Sequence, residues 1–494
     1  MDKISLYKKN DVYIKVDCER GTAMELSQYF TFEVPGAKFM PAVRNKVWDG
    51  KIRLFNVNTH LIYAGLIKQI QYFAHEREYE LEINDGLLDT IDIPTNGLEK
   101  YLNQGEYKLR DYQLRAVAHA IRNHRALILS PTASGKSFII YCLLRFYLRT
   151  SQKKALIIVP TTSLVYQMAN DFKDYSKNLQ FYYTYCIVGG QEKNNDEAKI
   201  YVSTWQSIYK QPKAYFDQFD IVIGDEAHLF KANSLTKIME KLTDCKYRFG
   251  FTGSLDGTQT NKLVLEGLFG PVMRVVQTKE LIENETLSAF RIKCLTLTYD
   301  DATKKNLKTA KYKDEMDFLV SNQARNNFIK NLTITRKGNT LLLFQFVEKH
   351  GKVLHEMIKN EVGNERKLFF VSGNTDVQIR EEIRAITEVE SNAIIVASYG
   401  TFSTGINIRN LHNVIFSSPS KSRVRTLQSI GRALRKGDNK ELATLYDISD
   451  DLTYKSHVNY TLKHFTERVK MYNDEEFDYK IYRIRLKESA DTVI

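Results

Sequence analysis

Residues 130–137 read Ser-Pro-Thr-Ala-Ser-Gly-Lys-Ser and follow directly on the apolar run Ala126-Leu127-Ile128-Leu129. An apolar strand, a small-residue loop and a Gly-Lys-Ser that opens a helix form the order of a phosphate-binding loop. Backbone N–H groups at the helix start favour an anion, the Lys136 ammonium reaches β- and γ-phosphates, and the Ser137 hydroxyl ligates Mg²⁺. Ser130 stands where the motif's first glycine is expected, so the loop alone does not decide. Asp225-Glu226-Ala227-His228 adds a second element, placed after the apolar run Ile221-Val222-Ile223. There a neighbouring parallel strand would deliver Asp225 to hold the metal and Glu226 to orient or deprotonate the attacking water. The alternative for that pair is a solvated acidic strand end. Residues 428–435 read Gln-Ser-Ile-Gly-Arg-Ala-Leu-Arg, which puts Arg432 and Arg435 three apart on one helical face. Arginines delivered from a second domain stabilise a γ-phosphoryl group in transfer, an effect on the order of 10³–10⁵ in rate. The alternative is a solvated basic helix. Together these residues imply hydrolysis of a nucleoside triphosphate.

The elements that must position them are legible as alternation. Short β-branched runs at 126–129, 155–159, 200–202, 221–223 and 248–251 alternate with helical segments. A second series follows at 341–344, 367–371, 393–397, 414–416 and 442–446. Each series predicts a parallel sheet with buried strands, joined somewhere near 277–291. Residues 1–98 read as a separate, strand-rich α+β domain, with strands at 12–16 and 51–57 around a helix at 23–30. Asp49-Gly50 predicts a hairpin turn between Val47-Trp48 and Lys51-Ile52, and Pro94-Thr95-Asn96-Gly97 predicts a linker. The tail predicts a helix at 454–472 and a strand at 480–486. The resulting division is 1–98, 99–282, 283–450 and 451–494.

Composition narrows the partners. The 494 residues are 43% hydrophobic and 26% charged, ordinary for a globular chain. No apolar stretch reaches the roughly 18 residues a membrane span needs. Met1-Asp2-Lys3-Ile4 lacks a signal-peptide core, and five cysteines are scattered without a Cys-x-x-Cys pair, so reduced thiols and a cytoplasmic location are expected. The formal net charge of +12 points to an anionic polymer or an anionic membrane surface without choosing between them.

The order of motifs across about 107–450 resembles superfamily 2 helicases and translocases. Leu109-Arg110-Asp111-Tyr112-Gln113 is similar to the segment whose glutamine, here Gln113, reads the adenine edge, which implies ATP. The resemblance implies an ATP site built from Arg110, Gln113, Thr132, Ala133, Ser134, Gly135, Lys136, Ser137, Gly405 and Asn407. Pro160-Thr161-Thr162-Ser163-Leu164 and Ser203-Thr204-Trp205-Gln206-Ser207 resemble strand-contacting motifs, as do Val371-Ser372-Gly373 and Thr404-Gly405-Ile406-Asn407. Thr161, Thr162, Thr204, Gly373 and Thr404 are therefore expected to touch nucleic acid. Thr252-Gly253-Ser254 resembles the motif that couples nucleotide state to grip, with His228 and Gln428 as further coupling residues. Gly253 stands where many members carry alanine. The resemblance implies two tandem RecA-like parallel-sheet lobes with a small N-terminal domain and a small C-terminal helix and strand extension. Trp48-Asp49-Gly50-Lys51, Tyr446-Asp447-Ile448 and His464-Phe465-Thr466-Glu467-Arg468 extend it along the whole chain, to bacteriophage DNA helicases of this superfamily. That branch implies a 3′-to-5′ DNA helicase remodelling forks, Holliday junctions, displacement loops and RNA–DNA hybrids in recombination, repair and replication.

Basic patches offer places to hold such a substrate. Arg44, Lys46, Lys51 and Arg53, with Lys38, face only Asp49 within 38–53, and Phe39 and Trp48 are interleaved. The cations could position a duplex through its phosphates while Trp48 stacks on an exposed base, or Trp48 could be core and the cations solvated. Lys304, Lys305, Lys308, Lys311 and Lys313 form a second run, and Arg483, Arg485 and Lys487 share one face of the last strand, as a charged edge or a DNA-facing strip. Contacts made mainly to phosphates predict binding that weakens strongly with salt. An RNA helicase, or an ATP-dependent binder without motor action, remain the alternatives.

Overall fold

The computed structural model describes residues 3–34, 36–84, 86–88, 90–131, 134–177, 179–255, 258–401, 408, 410–418, 422, 426–427, 429–431, 434, 440 and 442–486. They form two compact units, Met1–Ser130 with Ser134–Val276, and Gln277–Ile494.

The first unit opens with strands β1 (Lys3–Lys8), β2 (Tyr13–Asp17), β3 (Thr31–Glu33), β4 (Lys51–Arg53), β5 (Phe55–Asn56), β6 (Leu61–Tyr63) and β7 (Glu80–Ile83). Five of them form a sheet in the order β5-β6-β2-β1-β7, antiparallel apart from the β1–β7 pair. Alternation along β1 and β2 places Ile4, Leu6, Ile14 and Val16 on the buried face. The hairpin expected at Asp49-Gly50 is not local, because β4 pairs instead with β3. Pro41 at the first helical position starts the helix Pro41–Arg44, and the N–H groups of Val47 and Trp48 fold back onto the Ala42 carbonyl. That leaves 47–48 unable to extend as a strand, although Gly50 does take the positive φ of 78° that the turn reading requires. The expected linker at 94–97 likewise opens a helix, Thr95–Leu102, because Leu98 and Leu102 are buried one turn apart.

The motor part of this unit is a seven-stranded parallel sheet in the order β10-β11-β9-β12-β13-β8-β14. Its strands are β8 (Arg125–Leu129), β9 (Lys154–Val159), β10 (Thr184–Ile187), β11 (Ile200–Thr204), β12 (Phe219–Asp225), β13 (Tyr247–Thr252) and β14 (Val272–Arg274). The five expected runs are its centre; the edge strands β10 and β14 are additions. The N-terminal sheet packs directly against it. Tyr13 and Tyr63 stack at 5.3 Å and both hydroxyls donate to Glu240 Oε1, at 3.0 and 2.7 Å. A Cβ on Gly65 would lie 2.0 Å from the Glu266 carbonyl oxygen, so only glycine permits that approach. Apolar side chains of both sheets share one continuous core.

The second unit holds another seven-stranded parallel sheet, ordered β17-β18-β16-β19-β20-β15-β21. Its strands are β15 (Ala289–Thr298), β16 (Thr340–Phe344), β17 (Leu368–Val371), β18 (Ile394–Ser398), β19 (Asn413–Phe416), β20 (Leu442–Asp451) and β21 (Tyr479–Arg485). The tail read as an extension supplies its edge: β21 runs parallel to β15 from Ile292↔Tyr479 to Thr298↔Arg485. The preceding helix, Tyr460–Asp474, is locked in place by the buried pair Arg468–Asp447 at 2.8 Å and by Tyr472, whose hydroxyl donates to Asp447 at 2.8 Å. Glu315 caps that helix from another element, accepting the backbone N–H groups of Tyr460 at 2.9 Å and Thr461 at 2.8 Å. No helix among the described residues is long and apolar enough to cross a membrane.

Candidate active site and nucleic-acid groove

The carboxyl ends of β8, β12 and β13 converge, the edge of a parallel sheet at which ligands bind. Register sets Thr252 beside Leu129 and Asp225 beside Phe251. Beyond β8 the chain turns at Gly135 (φ 82°) into the helix Lys136–Leu148. The positive φ favours glycine there, and a Cβ at Gly135 would sit 2.3 Å from Gln113 Nε2, displacing that amide. The Gln113 amide donates to the Ser134 carbonyl at 2.8 Å and accepts from the Arg110 N–H at 3.0 Å, tying the loop to the helix Asp111–Asn123. Ser130, the departure from the usual glycine, is fully buried, and its hydroxyl meets that of Ser134. The serine thus braces the loop from within.

Opposite the loop, Lys136 Nζ lies 3.4 Å from Glu226 Oε1 and 3.9 Å from Asp225 Oδ1. Burial pushes Asp225 upward, with Lys136 opposing it. Burial acts on Glu226 in the same direction, but Lys136 and His228 outweigh it and hold this carboxyl down at about 2. Glu226 is a non-glycine residue at φ 51°, a left-handed conformation that costs of order 1–3 kcal/mol and marks a constrained site. From there a polar relay runs to β13. His228 Nδ1 is 3.3 Å from Glu226 Oε2 and 3.0 Å from Thr252 Oγ1, and the Thr252 hydroxyl donates to the Ser254 carbonyl at 3.0 Å. The three expected coupling residues of this unit are therefore one connected chain with the carboxylate.

A divalent cation fits this donor set. Asp225 Oδ1 is buried and has no hydrogen-bond partner among the described residues, an open acceptor in a site that already tolerates a cation. Ser137, expected as the second ligand, instead shares a hydrogen bond of 2.8 Å with the Tyr175 hydroxyl. Tyr175 gave no signal in the sequence, being one tyrosine among 29 at the end of an amphipathic helix.

On the same sheet edge, a groove of about 600 Å³ lies beyond the ends of β9 and β11. Thr161, Thr162 and Thr204 line it together, with Ser207, Gly189, Gly190 and Lys193. Thr162 begins the helix Thr162–Tyr175, whose N-terminus favours an anion. Side chains added at Gly189 or Gly190 would meet nothing, so the glycine pair keeps the floor of the groove low. That pair follows the edge strand β10 after one residue, as Val188-Gly189-Gly190.

Other expected residues are more scattered. Trp48 is half-buried and its indole N–H donates to the Lys51 carbonyl at 3.0 Å, while Arg53 pairs with Asp49. Arg44 and Lys46 are exposed. Gly373 follows β17 in the second unit, where its carbonyl accepts from Arg380 at 3.0 Å. Thr132, Ala133, Thr404, Gly405, Asn407, Gln428, Arg432 and Arg435 lie outside the described residues, as does Lys487.

Comparison with known proteins fits this geometry. Three family descriptions match in succession: "DNA helicase UvsW, N-terminal" over residues 3–84, "Type III restriction enzyme, res subunit" over 106–256, and "Helicase conserved C-terminal domain" over 323–437. The chain is 35% identical over 498 residues to the ATP-dependent DNA helicase uvsW of Enterobacteria phage T4, covering 96% of this chain and 98% of that one. It is 25% identical over 402 residues to the DNA 3′-5′ translocase XPB2 of Sulfurisphaera tokodaii, covering 74% and 85%. Among solved structures, that of T4 UvsW aligns over 98% of this chain and 100% of its own, at 34% identity and a TM-score of 0.52. Two RecA-like lobes, a nucleotide loop facing an Asp-Glu-Ala-His strand end, and a full-length relative lead to one assignment: the chain belongs to the UvsW family of superfamily 2 ATP-dependent DNA helicases.

Proposed function

We propose that the protein couples ATP hydrolysis to the remodelling of branched DNA: fork regression, branch migration of Holliday junctions, and unwinding of displacement loops and R-loops. The observation that carries the reading is the cluster of Lys136, Asp225 and Glu226 at converging strand ends, connected through His228 and Thr252 to Ser254. Lys136 would leave the carboxylates to neutralise phosphate charge, and Glu226, thus released, would orient and deprotonate the attacking water. Asp225 and Ser137 would hold Mg²⁺, which would supply charge neutralisation between the phosphates. Arg110 and Gln113 would bind the adenine side. The motif order supports Arg432 and Arg435 as the groups that stabilise charge in the transition state, and Gly405 and Asn407 as nucleotide contacts. The groove at Thr161, Thr162 and Thr204 would take the phosphates of a tracking strand, and the cations Arg44, Lys46, Lys51 and Arg53 those of a duplex. A cytoplasmic site of action, in a host cell for a viral protein, agrees with this chemistry.

The test is ATP-driven conversion of a synthetic fork or four-way junction, set against a simple 3′-tailed duplex. Faster conversion of the branched substrates is expected; equal rates would remove the branched-DNA reading. ATPase stimulation by RNA above that by DNA of matched sequence would favour an RNA helicase.

A further inference from the structure

The excursion between β3 and β4 is a built protrusion. Its base is closed by the Val34 N–H on the Gly50 carbonyl at 2.9 Å, and Gly36 and Gly50 turn the chain at φ 77° and 78°. Ala37 is buried against Gly50, whose added Cβ would lie only 3.0 Å from it. The indole of Trp48 is engaged in holding this fold through Lys51. What the protrusion displays is different: Phe39 is 73% exposed and Val47 81% exposed. The Lys38 ammonium lies 5.2 Å from the centre of the Phe39 ring. Among the described residues no ion pair involves Lys38, Arg44, Lys46 or Lys51, and the one acid between 36 and 53, Asp49, pairs with Arg53.

An exposed ring with Lys38 beside it, on a segment whose other cations Arg44, Lys46 and Lys51 form no ion pair among the described residues, matches a polyanion that also offers an apolar face. A stacked duplex interior offers none, but a base left unstacked at a branch point does. We infer that Phe39, and not Trp48, is the aromatic group that stacks on the unpaired base at a DNA branch point, while Lys38, Arg44 and Lys46 hold the flanking phosphates. The inference rests on the branched-DNA reading and assigns it a contact.

The experiment uses the full chain without ATP and a fork carrying 2-aminopurine at the branch point, with a plain duplex of equal length as reference. Wild-type protein is expected to prefer the fork and to quench the probe. Phe39→Ala should abolish the quenching and weaken fork affinity about tenfold, the scale of one lost base–aromatic stack, with duplex affinity and single-strand-stimulated ATPase unchanged. Phe39→Trp should restore both. Wild-type preference for the fork that survives Phe39→Ala, or quenching that persists there and vanishes in Trp48→Ala, would overturn the assignment while leaving the branched-DNA reading intact. A wild-type protein without fork preference would overturn both.

Discussion

Two buried sets of cations and carboxylates, one in each unit, are built to opposite rules. In the second unit Asp450 accepts from Arg325 Nε at 2.8 Å and the Tyr299 hydroxyl at 2.7 Å on one oxygen, and from Arg325 Nη2 at 3.0 Å on the other. Both partners of that pair are fully buried. In the first unit Lys136 stands 3.4 and 3.9 Å from its two acids, Asp225 Oδ1 has no hydrogen-bond partner among the described residues, and Glu226 sits in a strained backbone conformation. Closing every acceptor makes a brace whose loss exposes an unpaired buried charge. Leaving one open keeps a cation exchangeable, which a nucleotide site needs. Asp450 and Asp225 are both buried; the use made of their carboxylate oxygens separates them.

Substitutions break or sharpen that contrast. Asp450→Asn should destabilise the second unit by about 3–5 kcal/mol, seen as an earlier urea transition; an unchanged transition accompanied by lost turnover would reverse the assignment of brace and site. Glu226→Gln should lower kcat for ATP hydrolysis by about 10²–10³, the scale of a lost transition-state contact, with the circular dichroism spectrum retained. Thr252→Val removes the middle of the relay, with its hydrogen bonds to His228 and to the Ser254 carbonyl at about 1 kcal/mol each, and should reduce DNA stimulation of the ATPase by roughly fivefold or more while sparing unstimulated turnover.

Acidity probes the closed side. Burial, with Arg325 adding to it, holds His350 down at about 3. The unfolded chain takes up a proton near pH 6.5 and the folded chain does not until about 3, so the unfolded state binds more protons in that window. Stability of the second unit is therefore full above about 6.5 and falls as pH drops below it, by up to about 1.4 kcal/mol per pH unit. Urea midpoints at pH 7 and 5.5 for wild type and His350→Gln should show a smaller drop in the variant. The smallest effect is expected at Gly253, where an added Cβ would make an ordinary 3.8 Å contact with the Ser130 carbonyl. Gly253→Ala should shift stability by less than about 0.5 kcal/mol and leave ATPase activity intact.

The buried parallel strands were legible because apolar runs such as Ile221-Val222-Ile223 have one stable home. Lys136, Asp225 and Glu226 were legible because their motifs fix strand ends and loop chemistry together. Partners set by distant chain segments were not. Nothing local distinguishes Glu315 as the cap of a helix 145 residues on, or Tyr175 as the partner of Ser137. β15 hid in a stretch read as a junction, since Phe290-Arg291-Ile292-Lys293 alternates like a surface strand although the sheet covers both its sides. Trp48 is the largest ring that the sequence sets among these cations, yet it is Phe39 that the turn at Pro41 leaves outside.

Phosphate release from ATP by Lys136→Ala, with forked DNA present at saturation, tests the central claim most directly. The account predicts turnover at background level in a folded protein that still binds the fork; hydrolysis at the wild-type rate would place the engine somewhere else in the chain.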